Sequence, residues 1–240
     1  MLNNQQRRQS QGGNVLFLIL IAVALFAALS YVVTQSTRSG GGSTEREKNI
    51  LSSAQMTQYP TALRTAIIRM VLAGTAIENA RFNSPANFGT ISVSQLVFHP
   101  QGGGATYQDA PADLSASGQT TLSWTYNADF EVPNIGINGA GGNDVIAFLP
   151  GVSSGVCRQV DEELNIATSG CNMTNAGIPN VDPAITEANI NNYADDSYTF
   201  PNSGEVLDGD GCTAFTGQAS GCFYDAANTR YVFYSVLLER

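Results

Sequence analysis

Residues 15–33 read VLFLILIAVALFAALSYVV, nineteen consecutive positions without a charge. At about 1.5 Å of rise per residue, a helix of that length spans roughly 28 Å, the thickness of a bilayer core. Three readings compete for such a run. A cleaved secretory signal has a shorter apolar core of about 7–15 residues and a small-x-small cleavage site. The segment here is longer, and Ala27-Ala28-Leu29-Ser30 is a mediocre site. A helix buried in a soluble domain is the second reading, but the run is hydrophobic on every face. The third, a membrane anchor, fits the length best and is the expectation. Arg7 and Arg8 precede the run, and two positive charges on that side favour an N-in, C-out orientation.

Working outward, residues 1–13 (MLNNQQRRQSQGG) form a short polar leader and residues 14–38 the apolar helix. Gly40-Gly41-Gly42 follows, flanked by Ser39 and Ser43. Each glycine costs about 1 kcal/mol in a helix relative to alanine, so a hinge is expected over residues 39–43. A second, amphipathic helix is expected over residues 44–80. Ser43 or Thr44 can cap it, Glu45 and Glu47 suit its first turn, and Thr44 with Glu47 has capping-box spacing. Ile50, Leu51 and Ala54, then Leu63, Ile67, Met70, Val71 and Gly74, recur at helical spacing. Pro60 falls inside this pattern and predicts a kink near Tyr59.

After Arg81 the pattern turns to period two, with turn residues between the runs. Strands are expected at residues 91–98, 121–129 and 145–149, with a short one at 197–200. Val156, Val160 and Leu164 lie four apart, which makes residues 156–166 a short helix carrying Cys157. Residues 221–225 and 230–238 read as a hairpin, and YVFYSVLL at 231–238 is the most strand-like run in the chain. The expected fold class is therefore α+β. A long N-terminal helix interrupted at Gly40-Gly41-Gly42 leads into an antiparallel β-rich head over residues 81–240.

The charge supports a division of labour. The 240 residues hold 11 Lys+Arg and 20 Asp+Glu, a net charge of -9, which argues against a nucleic-acid partner. Residues 1–70 hold seven basic and two acidic side chains, a balance of +5; residues 71–240 hold four and 18, a balance of -14. One hypothesis is that Arg46, Lys48, Arg64 and Arg69 meet acids on the heads of neighbouring copies. The four cysteines, Cys157, Cys171, Cys212 and Cys222, all lie in the back half and form no CxxC pair. That pattern suits disulfides in an oxidising compartment, against the alternative of buried free thiols. Three connectivities are possible. Pairing of sequence neighbours, 157–171 and 212–222, closes short loops and is the expected one.

A basic leader ending in glycine, an apolar helix running into an amphipathic one, and a disulfide-bearing β head resemble the type IV pilin and pseudopilin superfamily. The resemblance rests on Arg7-Arg8, Gly12-Gly13 and residues 14–33, and for the head on architecture alone. It implies cleavage by a prepilin peptidase after Gly13 or Gly12, leaving Asn14 or Gly13 first. It also implies a filament built from copies of this chain or from other pilin-like subunits drawn from the inner membrane. The chain departs from the family at Asn14, where Phe or Met usually follows the cut. It departs again at Leu18, where the fifth mature residue is usually Glu. Residues 14–37 contain no acid at all.

Little in the sequence points to catalysis, and no enzyme is expected. His99 is the single histidine, before Pro100 at the end of an expected strand. No P-loop is present, and the glycine clusters read as turns. Paired carboxylates stand at Asp161-Glu162-Glu163 and Asp195-Asp196; the first group reads as a solvated helix face, and as a signal for hydrolysis such pairs are weak. Asp208-Gly209-Asp210-Gly211 has a calcium-like spacing of two carboxylates on a turn, without the distal Glu of an EF-hand. Major pseudopilins carry calcium in a comparable loop, so Asp208 and Asp210 are the candidate ligands; an ordinary turn into Cys212 is the alternative. Asn172-Met173-Thr174 is a glycosylation sequon. The function expected is a filament subunit. The alternative is a membrane-anchored periplasmic or surface domain that binds a ligand or partner without polymerising.

Overall fold

The computed structural model describes residues 12–116, 122–128, 130–137, 144–167, 172–173, 205–206, 213–225 and 229–240. The chain divides into two units, Met1–Glu47 and Lys48–Arg240.

One helix, α1 (Gly12–Leu72), runs for 61 residues. The interruption expected at Gly40-Gly41-Gly42 is corrected: these glycines lie inside the helix, so no helix starts at Ser43 or Thr44. Glycine's cost in a helix is entropic rather than steric, so the three glycines weaken the helix without forbidding it. Pro60 also sits inside α1 and is buried. The helix stops at Leu72, short of the expected residue 80. Gly74 adopts φ +92°, the Thr75 amide donates to Met70 O and the Gly74 amide to Val71 O, both at 3.0 Å. This is the two-bond glycine cap that ends many helices.

The second unit is built on a five-stranded sheet in the order β1-β3-β7-β6-β4. Its strands are β1 (Thr125–Asn127), β3 (Val145–Val152), β4 (Asn172–Met173), β6 (Ser220–Asp225) and β7 (Arg230–Leu238). All pairings are antiparallel except β4 with β6. A separate parallel pair joins β2 (Phe130–Glu131) to β5 (Glu205–Val206). The expected run at 91–98 is not a strand. Residues Val93–Gln95 form a 3-10 turn, and Leu96 makes only an isolated bridge to Arg81. Strands 145–149 and 121–129 are found as the longer β3 and the shorter β1. The stretch 197–200 lies outside the described residues.

Alternation along the strands sorts the core into two layers. Val145, Ala147 and Leu149 of β3, with Phe233 and Leu237 of β7, face one side. There they meet Met56, Tyr59, Leu63, Ile67 and Met70 of α1, spaced three or four apart along one helix face. Ile146 and Phe148, with Val232, Tyr234 and Val236, face the other side, against Phe130, Val132 and Phe215. Every residue of β3 is buried, because both sheet faces are covered.

The short helix α2 (Ser154–Glu163) starts on Ser153, whose hydroxyl accepts from the Val156 amide. It presents Val156, Cys157, Val160 and Asp161 inward. Cys157 is bonded to Cys222 of β6, with Cα atoms 5.3 Å apart and a sequence separation of 65. The expected 157–171 and 212–222 pairing is therefore corrected. Packing of α2 on the sheet places Cys157 beside β6, whatever the loop length. Cys171 and Cys212 lie outside the described residues, and one bridge, not two, is shown. Asp161 corrects a second expectation. It is buried, and its Oδ1 accepts from the Cys222 amide at 2.9 Å, while Glu162 and Glu163 stay exposed.

The turn at residues 99–104 shows why its glycines are there. Gly102 and Gly104 amides donate to His99 O at 2.9 Å, and the Gly103 amide to Leu96 O at 3.0 Å. A Cβ at Gly102 would lie 2.1 Å from Leu96 O and 2.5 Å from Val93 O, both backbone atoms that cannot rotate away. Gly102→Ala is expected to cost about 2–4 kcal/mol of unfolding free energy in a denaturant titration. Gly89→Ala, at φ +51° with open space around it, should cost only about 1–2 kcal/mol.

Candidate functional site

The feature that most needs a functional account is the first half of α1. Val15–Thr34 is long and apolar enough to cross a membrane, and none of it is buried within the chain. Phe17, Leu20, Leu25, Phe26 and Leu29 are each more than half exposed. Exposed apolar area of this extent is what a membrane or protein interface presents. The Thr34 hydroxyl donates back to Ser30 O within the helix. That is how a hydroxyl is satisfied where no water reaches. Gly12, Gly13 and Asn14, the expected processing residues, form the first turn of α1.

Three of the four basic side chains expected to reach neighbouring heads have partners in their own chain. Arg64 Nη2 lies 2.8 Å from Glu239 Oε1, and Lys48 Nζ lies 3.9 Å from Asp113 Oδ1. Arg69 donates to Pro100 O at 2.9 Å. These are exposed contacts, each worth at most about 1 kcal/mol. They nonetheless give three of the four cations a structural role inside one copy.

The chemistry-bearing candidates separate rather than converge. His99 accepts the Gln101 amide on Nδ1 at 3.1 Å and sits edge-on to Phe88, with ring centroids 5.5 Å apart. That is a turn-stabilising role. The amides of Gly102, Gly103 and Gly104 are all bonded to carbonyls, so this glycine run offers no phosphate cradle. Asp208 and Asp210 lie outside the described residues, as does Asp195-Asp196. Among the described residues, no group of three His, Cys, Asp or Glu side chains is placed to hold a metal.

Sequence reading passed over Asp144, which is fully buried where the chain enters β3. Its Oδ2 accepts the Val132 amide at 3.0 Å and its Oδ1 the Arg240 amide at 3.2 Å. Burial raises its pKa to about 6 against the pull of those two amides, and the charges of Glu131 and Glu239 add to the rise. An unfolded Asp titrates near 3.9. Between about pH 4 and pH 6 the folded chain therefore keeps a proton that the unfolded chain has lost. Stability from this group is full below about pH 4, falls as pH rises to about 6, and is flat above. The expected loss across that window is about 3 kcal/mol. Asp144→Asn should remove this component from a plot of unfolding free energy against pH, whatever its absolute stability.

Comparison with known protein families, with curated proteins and with solved structures finds no match for this chain. The class defined by fold and site is thus an α+β protein with an N-terminal helix capable of crossing a bilayer and a disulfide-bearing head built on a largely antiparallel sheet.

Proposed function

We propose that this chain is a pilin-like or pseudopilin-like structural subunit. It is held in the inner membrane by residues 15–34, N-terminus inside, and assembled with copies of itself or related subunits through that segment. One observation carries the reading: the helix that is exposed and apolar on all sides at residues 15–34 is the same helix whose residues 56–70 complete the core of the head. An apolar helix is soluble in lipid or among its own kind, and a filament offers the second environment once the subunit leaves the first. The leader motif Arg7-Arg8 with Gly12-Gly13 supports processing by a prepilin peptidase ahead of Asn14 or Gly13. The head belongs outside, where the Cys157–Cys222 bond persists. With those two cysteines joined, Cys171 and Cys212 are left to each other as the second bridge of the expected pair.

A second reading, a static anchored domain that binds a partner without polymerising, is favoured by the intrachain partners of Lys48, Arg64 and Arg69. They weaken the case for charge pairing as the device that sets filament register. Intact mass and N-terminal sequencing of the native, membrane-extracted protein separate the readings. A chain starting at Asn14 or Gly13, with or without an added methyl group, is the result expected of a pilin-like subunit. A chain still starting at Met1 would overturn that reading in favour of the static anchor.

A further inference from the structure

A cleft of about 680 Å³ opens on the head between α1, the loop around residue 108 and β1. Its volume is within the usual range for small-ligand sites, about 300–1,000 Å³. Three carboxamides line it, Gln55, Gln58 and Gln108, together with Asp109, Tyr59 and Trp124. The carboxamides are exposed, and their side chains make no hydrogen bond to other described residues. Trp124 packs its ring against Tyr59 and Phe233, with centroids 5.3 and 6.1 Å away, while its edge borders the cleft. The Tyr59 hydroxyl is held in place by the Gln108 amide at 3.3 Å.

The chemistry of this lining selects its ligand. A carboxamide presents two donors and an acceptor side by side, the complement of vicinal hydroxyls that each donate and accept. Trp124 and Tyr59 are buried and give the cleft a rigid aromatic floor, and exposed Ala62 and Pro111 add small apolar area beside it. Asp113 is shared with Lys48, and Asp109 leaves the wall with a negative charge that disfavours an anion. We propose that this cleft binds a neutral saccharide, with Gln58 and Gln108 reading its hydroxyls and Trp124 at its floor. The proposal does not depend on whether the apolar helix polymerises.

Trp124 is the single tryptophan of the chain, so the cleft carries its own reporter. The experiment titrates cello-, malto- and chitotetraose into the full-length protein, held in a detergent without a sugar headgroup, and follows tryptophan emission. A saturable change is expected with at least one of the three. Gln58→Ala and Gln108→Ala should each weaken it about tenfold, equal to about 1.4 kcal/mol, with unchanged circular dichroism. No saturable change with any of the three, or an equal change in both variants, would overturn the proposal. So would an emission change that follows protein concentration without sugar, which would instead assign the cleft to a contact between copies.

Discussion

Leu20→Arg combined with Ala24→Arg is expected to move this protein out of the membrane fraction. Both positions are exposed and lie one turn apart near the middle of Val15–Thr34. An arginine at the centre of a spanning helix costs about 2.5–3.5 kcal/mol on the insertion scale, so the pair costs about 5–7 kcal/mol. That shifts the partition between inserted and non-inserted chain by more than about a thousandfold. Alkaline carbonate extraction reads the outcome directly, with wild type in the pellet and the variant in the supernatant or in aggregates. The control is Arg64→Ala together with Lys48→Ala, which removes two exposed ion pairs and should leave the partition unchanged. A double-arginine variant that still resisted extraction would mean that residues 15–34 are not what holds the chain in the membrane. The same variant would also lose any filament, because charged helices cannot share a dry core without partners.

Cys157→Ala together with Cys222→Ala should destabilise the head by about 4 kcal/mol. The bond closes a loop of 65 residues, and the chain-entropy estimate for a loop of that length is about 4 kcal/mol at 25 °C. If Cys171–Cys212 is closed as well, it short-circuits the loop to about 25 residues, and the estimate falls only to about 3.5 kcal/mol. Either value is a large fraction of the 5–15 kcal/mol typical of a folded domain. The measurement is a denaturant titration of full-length protein in detergent, followed by circular dichroism. Peptide mapping without reduction checks the pairing at the same time. Recovery of a 157–171 peptide would contradict the packing of α2 on β6. A second effect separates packing from cross-linking. Asp161→Asn keeps the disulfide but weakens the hydrogen bond to the Cys222 amide, and should cost about 1–2 kcal/mol.

Much of this architecture was legible in the order of residues because the signals are periodic and local. The charge-free run at 15–33 needs no partner to be read as a spanning helix. The hairpin at 221–225 and 230–238 was read within one residue of β6 and β7, since β-branched and aromatic residues crowd there between polar turns. Helix α2 was read from Val156, Val160 and Leu164, and its inward face does carry Val156 and Val160. The misreadings share a cause. The glycines at 40–42 were judged by intrinsic cost, and the helix passes through them. Gly74 was counted as one more helical position, while its positive φ makes it the cap. Residues 91–98 have the composition of a strand, yet Val93–Gln95 form a 3-10 turn and Leu96 makes only an isolated bridge.

The candidate sites divide the same way. The apolar segment is a one-dimensional feature, so order along the chain is enough to find it. The cysteine pairing, Asp144 and the cleft around Trp124 are not. Cys157 and Cys222 meet because α2 lies on β6, and Asp144 is buried because the strand it opens is covered on both faces. Gln58 and Gln108 share one cleft only because α1 packs beside the loop that follows Gly104. By itself the order of residues determined what this protein can do in lipid, because hydrophobic length and charge are sums over neighbours in sequence. Which cysteines join, which carboxylate is hidden and which amides face one another were decided by tertiary packing, because those depend on distances that only the folded chain defines.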